Sequence, residues 1–403
     1  MSTVTVDHVA QAAEHISGIC FKTGPPERVG VELEWTVHRS GAPAEYVEAA
    51  ELRTALHEHA PPELGNPHPG VPLPGGGAVT VEPGGQLEIS SAPAGSLTEL
   101  YETLRADQAR LSGLLAAQGL ELGGSGLDPY RRPRRMLRTP RYAAMQRSFD
   151  ADGPHGHTMM CSTAGLQVCL DAGPADRVAQ RWHAVHEVGP ALVAAFATSR
   201  FKAGRDTGWA SSRMATWYGI ESRRTSPALA PGDPADGWAQ YALAAPLLCV
   251  RREKGSWDAP PGVTFADWIE GALPEPPDYD DLEYHLSTLF PPVRPRGYLE
   301  VRYLDAQPGE EWIAPAAVLT ALLADDALTD QARALAAPTA DSWIPAARDG
   351  LADPAIRATA TQLLDLACRH LDRTGLPQPV RDLVTGIVDR RLDRAATGKD
   401  PHR

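Results

Sequence analysis

Apolar and polar residues alternate along several short segments of the chain, as expected for β-strands with one buried face. In residues 31–35, Glu32 and Glu34 lie on one side of the predicted strand, opposite three apolar residues. Residues 166–171 and 299–303 repeat this division between an aliphatic side and a polar side. If these strands share a sheet, one face of that sheet is aliphatic and the other carries acids, amides and an arginine.

A further segment, residues 81–89, combines the same alternation with a turn. Its sequence Glu82-Pro83-Gly84-Gly85-Gln86 predicts a tight bend, because proline and glycine suit the central positions of β-turns. Glu82 then stands just before the bend, and Glu88 stands just after it on the same side as Gln86 and Ser90. The turn therefore adds two carboxylates to the polar pattern.

Longer segments with helical periodicity surround these strands. Helices are predicted over about residues 5–20, 45–59 and 96–118, from about 175, near Pro190, and as several packed helices over 314–395. The segment 96–118 begins with Ser96 and Glu99, which is a capping-box pattern. Long loops are predicted at 61–77, at 127–157 with one helical turn near Arg141, at 203–240 and at 253–281. We therefore predict an α+β fold and a single domain over residues 1–403.

Composition and charge exclude several classes of protein. The 403 residues carry a formal net charge of −13, which argues against a nucleic-acid partner, because phosphate binding needs a basic surface. The sequence shows neither a run of about 18 apolar residues nor a secretory signal, so no membrane partner is expected. Five scattered cysteines without a CxxC pair are typical of reduced thiols. We expect a cytoplasmic protein.

The arginine-rich run at residues 131–141 stands out in this acidic chain. A solvated loop is the interpretation we favour for it. The alternative is a set of donors for a polyphosphate or a carboxylate, since guanidinium groups suit both anions.

The glutamate pattern predicts a metal site. Several carboxylates on one face repel one another unless cations neutralise them, although any one such strand is also compatible with an ordinary solvent-facing edge. Glutamates without nearby cysteines or an HExxH motif favour Mg²⁺, with Mn²⁺ as the alternative. Magnesium also binds substrate phosphates, which predicts a nucleotide, although no P-loop motif occurs. We interpret His155 and His157 as loop histidines, and Cys161 and Cys169 as core thiols.

Five motifs, in order along the chain, resemble those of the plant- and actinobacterial-type glutamate-cysteine ligases. They are Gly30-Val31-Glu32-Leu33-Glu34, residues 82–90, Met159-Met160-Cys161-Ser162-Thr163 running into Gln167-Val168, Phe290-Pro291-Pro292-Val293-Arg294, and Gly297-Tyr298-Leu299-Glu300-Val301-Arg302. Each motif is short, but together they are specific. The nearest likeness is to the actinobacterial members that serve ergothioneine synthesis, and the preference for Arg over Lys fits a high-GC genome.

The resemblance implies a glutamine-synthetase-like fold, in which an antiparallel sheet lines an active-site funnel and helices cover its outer side. It also implies one catalytic domain that forms γ-glutamylcysteine, ADP and phosphate from ATP, L-glutamate and L-cysteine through γ-glutamyl phosphate. Only small-molecule partners are expected, and the oligomeric state stays open, a monomer included. Five carboxylates are implied as Mg²⁺ ligands around the ATP phosphates: Glu32, Glu34, Glu82, Glu88 and Glu300.

The same resemblance implies roles for an amide and four arginines. Arg302, together with Glu300, is expected to act in catalysis, with Arg302 stabilising the transferring phosphoryl group or binding a carboxylate. Arg141 is assigned to the nucleotide phosphates, because its segment resembles a family loop. Substrate contacts are expected from Gln167, Arg213 and Arg294.

Three other functions stay open at this point. The same scaffold could join glutamate to a different amine, because a cysteine pocket has no diagnostic motif. A non-catalytic relative that binds a nucleotide or an amino acid is a second alternative, although this chain keeps the whole acidic set. A metal-dependent hydrolase is a third, and the arginines and the Glu82–Gln86 turn fit it less well.

Overall fold

The computed structural model describes residues 4–397. Within them, six strands form an antiparallel sheet in the order β3-β4-β1-β6-β10-β9, and β2 pairs with β5 and β7 with β8. The strands are β1 Val29–Trp35, β2 Val37–Arg39, β3 Ala78–Val81, β4 Leu87–Ser90, β5 Leu120–Leu122, β6 Gly165–Leu170, β7 Phe201–Lys202, β8 Arg205–Asp206, β9 Val293–Pro295 and β10 Leu299–Asp305.

Helices precede, interrupt and follow these strands. They are α1 Val9–Cys20, α2 Ala49–Leu56, α3 Leu97–Ala116, α4 Pro140–Asp150, α5 His155–Ser162, α6 Val178–Glu187, α7 Gly189–Ala195, α8 Ser212–Tyr218, α9 Ser222–Thr225, α10 Pro234–Ala244, α11 Phe265–Asp267, α12 Tyr279–Leu286, α13 Ile313–Leu322, α14 Asp326–Ala336, α15 Trp343–Asp349, α16 Pro354–Arg369 and α17 Gln378–Thr397. Single 3-10 turns lie at His57–His59, Pro62–Leu64, Gly309–Trp312, Ala337–Thr339, Gly350–Ala352 and Leu371–Thr374, and a π-helical turn lies at Trp268–Ala272. The antiparallel sheet and the helical C-terminal part confirm the predicted α+β fold.

The strand register aligns the polar residues that the alternation placed on one face. Three rows of directly paired residues cross the sheet, and paired residues share a face. The first row is Thr80, Glu88 and Glu34; the second is Ser90, Glu32 and Gln167; the third is Cys169, Glu300 and Arg294.

Strand β10 contains a bulge opposite β6. Val301 pairs with Val168 and Leu304 pairs with Leu166, so three steps along β10 match two steps along β6. Because paired residues share a face, the extra residue keeps both Val301 and Leu304 in the core, where both are fully buried. Arg302 lies inside the bulge, a feature that often redirects a side chain beside a functional site.

The prediction of long loops is wrong over two regions. Helices α4 and α5 occupy much of 127–157, and α8, α9 and most of α10 lie within 203–240. These helices are short, and their proline, glycine and polar residues hide the apolar period. Local caps start two of them: the Thr139 hydroxyl accepts from the Tyr142 amide at the start of α4, and Ser211 caps α8 in the same way.

The helix at residues 97–116 starts as predicted, with one difference. The Ser96 hydroxyl accepts from the Glu99 amide, but the Glu99 carboxylate accepts from Gly95 and not from Ser96. In residues 4–397, no single helix combines the length and apolar composition of a bilayer span; residues 309–322 and 326–339 meet both criteria only as a bent pair.

Candidate active site

Four glutamates lie together where β1, β4 and the end of β3 meet: Glu32, Glu34, Glu82 and Glu88. Burial, followed by the charges of Glu34 and Glu32, raises the pKa of Glu82 to about 7. Burial and the charges of Glu32, Glu82 and Glu34 raise the pKa of Glu88 well above its ordinary value. Burial and the nearby Glu300 carboxylate also raise the pKa of Glu32. This mutual effect is expected of four carboxylates that share one electronegative region, in which Glu88 is buried and the other three are half-buried.

The donor set fits a hard divalent cation. Among residues 4–397, no three acidic, histidine or cysteine side chains converge closely enough to hold a metal ion by themselves. Magnesium does not need such a cage, because it commonly binds one or two carboxylates together with waters and substrate phosphates. The carboxylate face therefore suits an ion that arrives with a polyphosphate.

Hydrogen bonds fix the orientation of Glu34. Its Oε2 accepts from the Gly165 amide at 2.7 Å, and its Oε1 accepts from Gln167 Nε2 at 3.1 Å. The Gln167 Oε1 in turn accepts from Arg302 Nη1. The structure thus brings Gln167 between a predicted metal ligand and a predicted catalytic arginine.

Glu88 is oriented by two hydroxyl groups of its own sheet. Thr80 Oγ1 and Ser90 Oγ both donate to its Oε1 at 2.9 Å. This orientation explains why a threonine and a serine occupy the neighbouring polar positions on β3 and β4.

Glu300 lies at the centre of an arginine cluster. It is 0% exposed, and its Oε2 accepts from Arg294 Nε at 2.7 Å and from Arg302 Nη1 at 2.8 Å, while Arg296 Nη1 lies 3.4 Å from Oε1. Burial raises the pKa of Glu300, but the charges of Arg294 and Arg302 outweigh it and lower the pKa to about 2. A metal-ligand role for Glu300 stays a prediction, and it requires an oxygen to be shared between an arginine and the ion.

Arg294, predicted to bind substrate, makes structural contacts in the described residues. Besides the bond to Glu300, its Nη1 donates to the Leu289 carbonyl at 3.2 Å. Arg296, which the sequence reasoning missed, also reaches Glu300, and its spacing of four residues from that glutamate is the only signal in the sequence. Arg294 and Arg296 thus fix the position of the Glu300 carboxylate, which in turn binds Arg302.

Arg302 and Arg213 approach each other over the polar face. Arg213 Nη2 donates to the Arg302 carbonyl at 2.8 Å, and the Arg213 guanidinium lies 4.6 Å from the centre of the Trp217 ring. In the described structure, the Nε atoms of both arginines are buried without a hydrogen-bond partner. Because buried donors are almost always satisfied, these two N–H groups suit an anionic ligand.

Arg141 lies in the first turn of α4 and not in a loop. Its Nη1 and Nη2 donate to the side chain and carbonyl of Ser287, both at 3.1 Å, and its guanidinium lies 4.8 Å from the centre of the Tyr284 ring. Its charge lowers the pKa of Glu82, which places it near the carboxylates. The neighbouring Tyr142 was missed; burial and the Glu82 charge raise its pKa, so it also borders the site.

The favoured interpretation of residues 131–141 as a solvated loop is wrong for Arg131. That side chain is 11% exposed and pairs with Asp128 at 2.7 Å. Arg134 pairs with Glu48 at 2.8 Å and covers the ring of Tyr46. The run therefore packs against the domain through ion pairs of its own, which only a folded structure reveals.

The Glu82–Gln86 turn is packed against this loop and against α5. The Pro83 carbonyl accepts from the amides of Met136 and Leu137. A Cβ atom at Gly84 would overlap the carbonyl oxygen of Cys161, and Gly85 has a φ of +91°. Both glycines are thus required, one for a close approach and one for a left-handed backbone.

Two histidines and two cysteines were also candidates. The interpretation of His155 and His157 as loop histidines is wrong, because both lie in α5, where His155 packs against Gly219; neither belongs to a metal-binding group in the described residues. Cys161 is buried in an apolar cluster, and burial raises the pKa of its thiol, which agrees with its interpretation as a core thiol. That interpretation is wrong for Cys169, which is half-buried and lies on the polar face, paired with Glu300 across the sheet.

Comparison with known proteins places this geometry in context. The sequence model of glutamate-cysteine ligase family 2 (GCS2) matches residues 28–400. Glutamate-cysteine ligase EgtA of Mycobacterium tuberculosis is 39% identical over 407 residues, covering 99% of this chain and 90% of that protein, and EgtA of Mycolicibacterium smegmatis is 40% identical over 400 residues, covering 97% and 90%. The chloroplastic glutamate-cysteine ligase of Arabidopsis thaliana is 31% identical over 320 residues, covering 74% and 60%.

A solved structure shares the fold. The glutamate-cysteine ligase of Francisella tularensis, crystallised in complex with AMP, superposes with a TM-score of 0.51 at 11% identity, covering 93% of this chain and 83% of that chain. The predicted fold is confirmed by this likeness.

Proposed function

The chain belongs to glutamate-cysteine ligase family 2, and we propose that it joins the γ-carboxylate of L-glutamate to the amine of L-cysteine with ATP, giving γ-glutamylcysteine, ADP and phosphate. One observation carries the proposal. Four clustered carboxylates, three of them with raised pKa values (Glu32, Glu82 and Glu88), adjoin two arginines whose buried Nε groups have no partner in the described residues. That pairing suits a metal-bound polyphosphate beside an anionic amino acid.

The reaction proceeds through an acyl phosphate. The glutamate γ-carboxylate attacks the γ-phosphorus of ATP, ADP leaves, and the cysteine amine then displaces phosphate from γ-glutamyl phosphate. Mg²⁺, held by Glu32, Glu34, Glu82 and Glu88, would supply charge neutralisation for the phosphates. The protein contributes positioning and preorganised charge rather than a nucleophile.

The arginines have distinct tasks in this scheme. Arg302, fixed by Glu300 and Gln167, faces the transferring phosphoryl group and offsets its negative charge. Arg213 holds a carboxylate of the substrate glutamate through the edge that carries its free Nε. Arg294 acts indirectly, because it fixes Glu300.

The proposal extends to setting and organisation. One catalytic domain with a helical C-terminal part acts on small molecules in the cytoplasm, where ATP and both amino acids are available. The γ-glutamylcysteine product enters ergothioneine synthesis, in line with the likeness to the two actinobacterial EgtA proteins. Deletion of the gene in its host should abolish ergothioneine, and unchanged ergothioneine would remove the pathway from the proposal.

The decisive experiment combines ADP release with mass spectrometry of the product. Purified protein should release ADP only when glutamate, cysteine, ATP and Mg²⁺ are all present, and the product mass should be that of γ-glutamylcysteine. Glu34→Gln and Glu88→Gln should abolish the activity, whereas Glu51→Gln, which changes an exposed ion pair with Arg39, should retain it. Normal activity in both site variants would remove the metal assignment.

The same assay separates the alternatives. A different amine that outperforms cysteine in a panel of amino acids would change the acceptor. ATP hydrolysis without amino acids would indicate a hydrolase, and nucleotide binding without any turnover would indicate a non-catalytic relative.

A further inference from the structure

We infer that Asp305 is a positioning residue that holds Arg213 in the geometry needed to bind substrate glutamate. The inference rests on the proposed function, which assigns Arg213 to that substrate. Asp305 ends strand β10, three residues after Arg302, and it belongs to none of the motifs that carry the family resemblance. Its role follows from three sets of contacts.

The first set surrounds the Asp305 carboxylate, which is 2% exposed. Its Oδ1 accepts from Ser211 Oγ at 2.9 Å. Its Oδ2 accepts from Ser199 Oγ at 2.7 Å and from the Thr198 amide at 2.9 Å. One buried carboxylate therefore accepts hydrogen bonds from three donors, two at residues 198–199 and one at Ser211, the N-cap of α8.

The second set connects those donors to Arg213. Ser199 Oγ accepts from the Arg213 amide at 3.1 Å, and Ser211 Oγ caps α8 by accepting from the Met214 amide at 3.2 Å. Each serine thus donates to Asp305 and accepts from the first turn of α8. The Asp305 carboxylate thus fixes the main chain at Arg213 and Met214, and in each case one serine hydroxyl bridges the carboxylate to the amide.

The third set holds the guanidinium, and it leads back to the same strand. Arg213 Nη2 donates to the Arg302 carbonyl, and a Cβ atom at Gly165 would lie 2.5 Å from that nitrogen. The guanidinium therefore rests directly on the first residue of β6, whose amide binds Glu34. Strand β10 determines both the main-chain position of Arg213, through Asp305, and its side-chain position, through Arg302.

Charge adds to this geometry. Arg213 is only 2% exposed, and in the described residues its guanidinium forms no direct ion pair. A buried cation without a counter-charge is unfavourable, and Asp305 is the first opposing charge that acts on it. Loss of the Asp305 charge should weaken the hold on α8 and leave Arg213 free to shift away from Glu34.

The test compares Asp305→Asn with a matched control, Asp107→Asn. Asp107 is also a buried carboxylate, but it binds the amides of Gly75 and Gly77 and lies outside the polar face. We expect Asp305→Asn to raise the KM for glutamate about tenfold, as for one lost charged hydrogen bond, with the KM for ATP unchanged. Both variants should unfold at lower temperature, but Asp107→Asn should keep the wild-type KM for glutamate.

Two more variants separate positioning from folding. Gly165→Ala pushes on the guanidinium from the opposite side, so it should reproduce the selective rise in the KM for glutamate. In a double-mutant cycle, Arg213→Lys and Asp305→Asn together should cost much less than the product of their separate effects, because both act on one contact. Glutamate binding by calorimetry, which needs no turnover, provides the same comparison.

The outcomes distinguish this inference from the proposed function. Equal rises in both KM values, an unchanged KM for glutamate in Asp305→Asn, or multiplicative effects in the cycle would each overturn the positioning role while ligation by the wild-type protein stands. A wild-type protein that neither ligates nor binds glutamate would overturn the proposed function, and the inference with it.

Discussion

Replacing Glu300 with glutamine tests whether the arginine cluster stabilises the fold as the contacts indicate. Glutamine keeps the shape of the side chain but removes the negative charge of the group to which Arg294 and Arg302 both donate, at Glu300 Oε2. Removing one partner of a buried ion pair typically costs about 3–5 kcal/mol, because the other partner stays buried and uncompensated. We expect Glu300→Gln to lower the free energy of unfolding by about that amount.

The lowered pKa of Glu300 reflects the same contacts and has the same sign. It falls from an ordinary value of 4.5 to about 2, a difference of about 2.5 units, and each unit corresponds to about 1.4 kcal/mol. The folded state therefore favours the ionised form by about 3–4 kcal/mol. Because the folded pKa is lowered, this contribution is complete above pH 4.5 and is lost as the pH falls through about 2.

The assay is urea unfolding at pH 7.5 in the presence of a chelator, so that metal binding does not contribute. Glu51→Gln is the control, because Glu51 pairs with Arg39 at 2.7 Å on the surface and such pairs contribute about 1 kcal/mol or less. If Glu300→Gln unfolds within about 1 kcal/mol of the wild type, like the control, the reasoning from the cluster is refuted. A loss of activity without a loss of stability would point to metal binding as the main task of Glu300.

Three further predictions concern pH, packing and the nucleotide. The pKa of Glu82 is raised to about 7, so its stabilising contribution is complete below pH 4.5 and lost as the pH rises through about 7; metal-free protein should resist urea better at pH 5 than at pH 8, and an equal midpoint at both would contradict this. Gly84→Ala should lower the melting temperature by several degrees, because its Cβ meets the Cys161 backbone, whereas Gly113→Ala, with open space in α3, should raise it slightly. Arg141→Ala should raise the KM for ATP severalfold, and an unchanged KM and turnover number would end the nucleotide assignment.

The alternation of side chains was sufficient to predict the polar face. Glu32, Glu34 and Glu88 share that face because the two-residue period of a strand allows no other arrangement once Leu33 and Ile89 are buried. The Glu82–Gln86 turn was readable for a similar reason, since its glycines are needed by the backbone itself. Both features depend only on residues that are neighbours in the sequence, so the sequence is sufficient to predict them.

The contacts between distant segments were not predictable in this way. Three arginines meet at Glu300 because β9 pairs with β10 in one particular register, and Arg213 reaches the face because α8 is anchored to Asp305. Of the segment that forms α4 and α5, only one helical turn near Arg141 was predicted, because neither helix shows a clear apolar period; Thr139 caps α4, whereas α5 has no side-chain cap.

The sequence by itself determined which residues are acidic, which face they occupy on each strand, and which family the chain resembles. Only the tertiary structure decided how those strands combine: the bulge at Arg302, the arginines around Glu300, and the serines that connect Asp305 to Arg213. The physical reason is that hydrogen bonds and ion pairs depend on distances of a few ångströms between residues that lie, as Arg213 and Arg302 do, far apart along the chain.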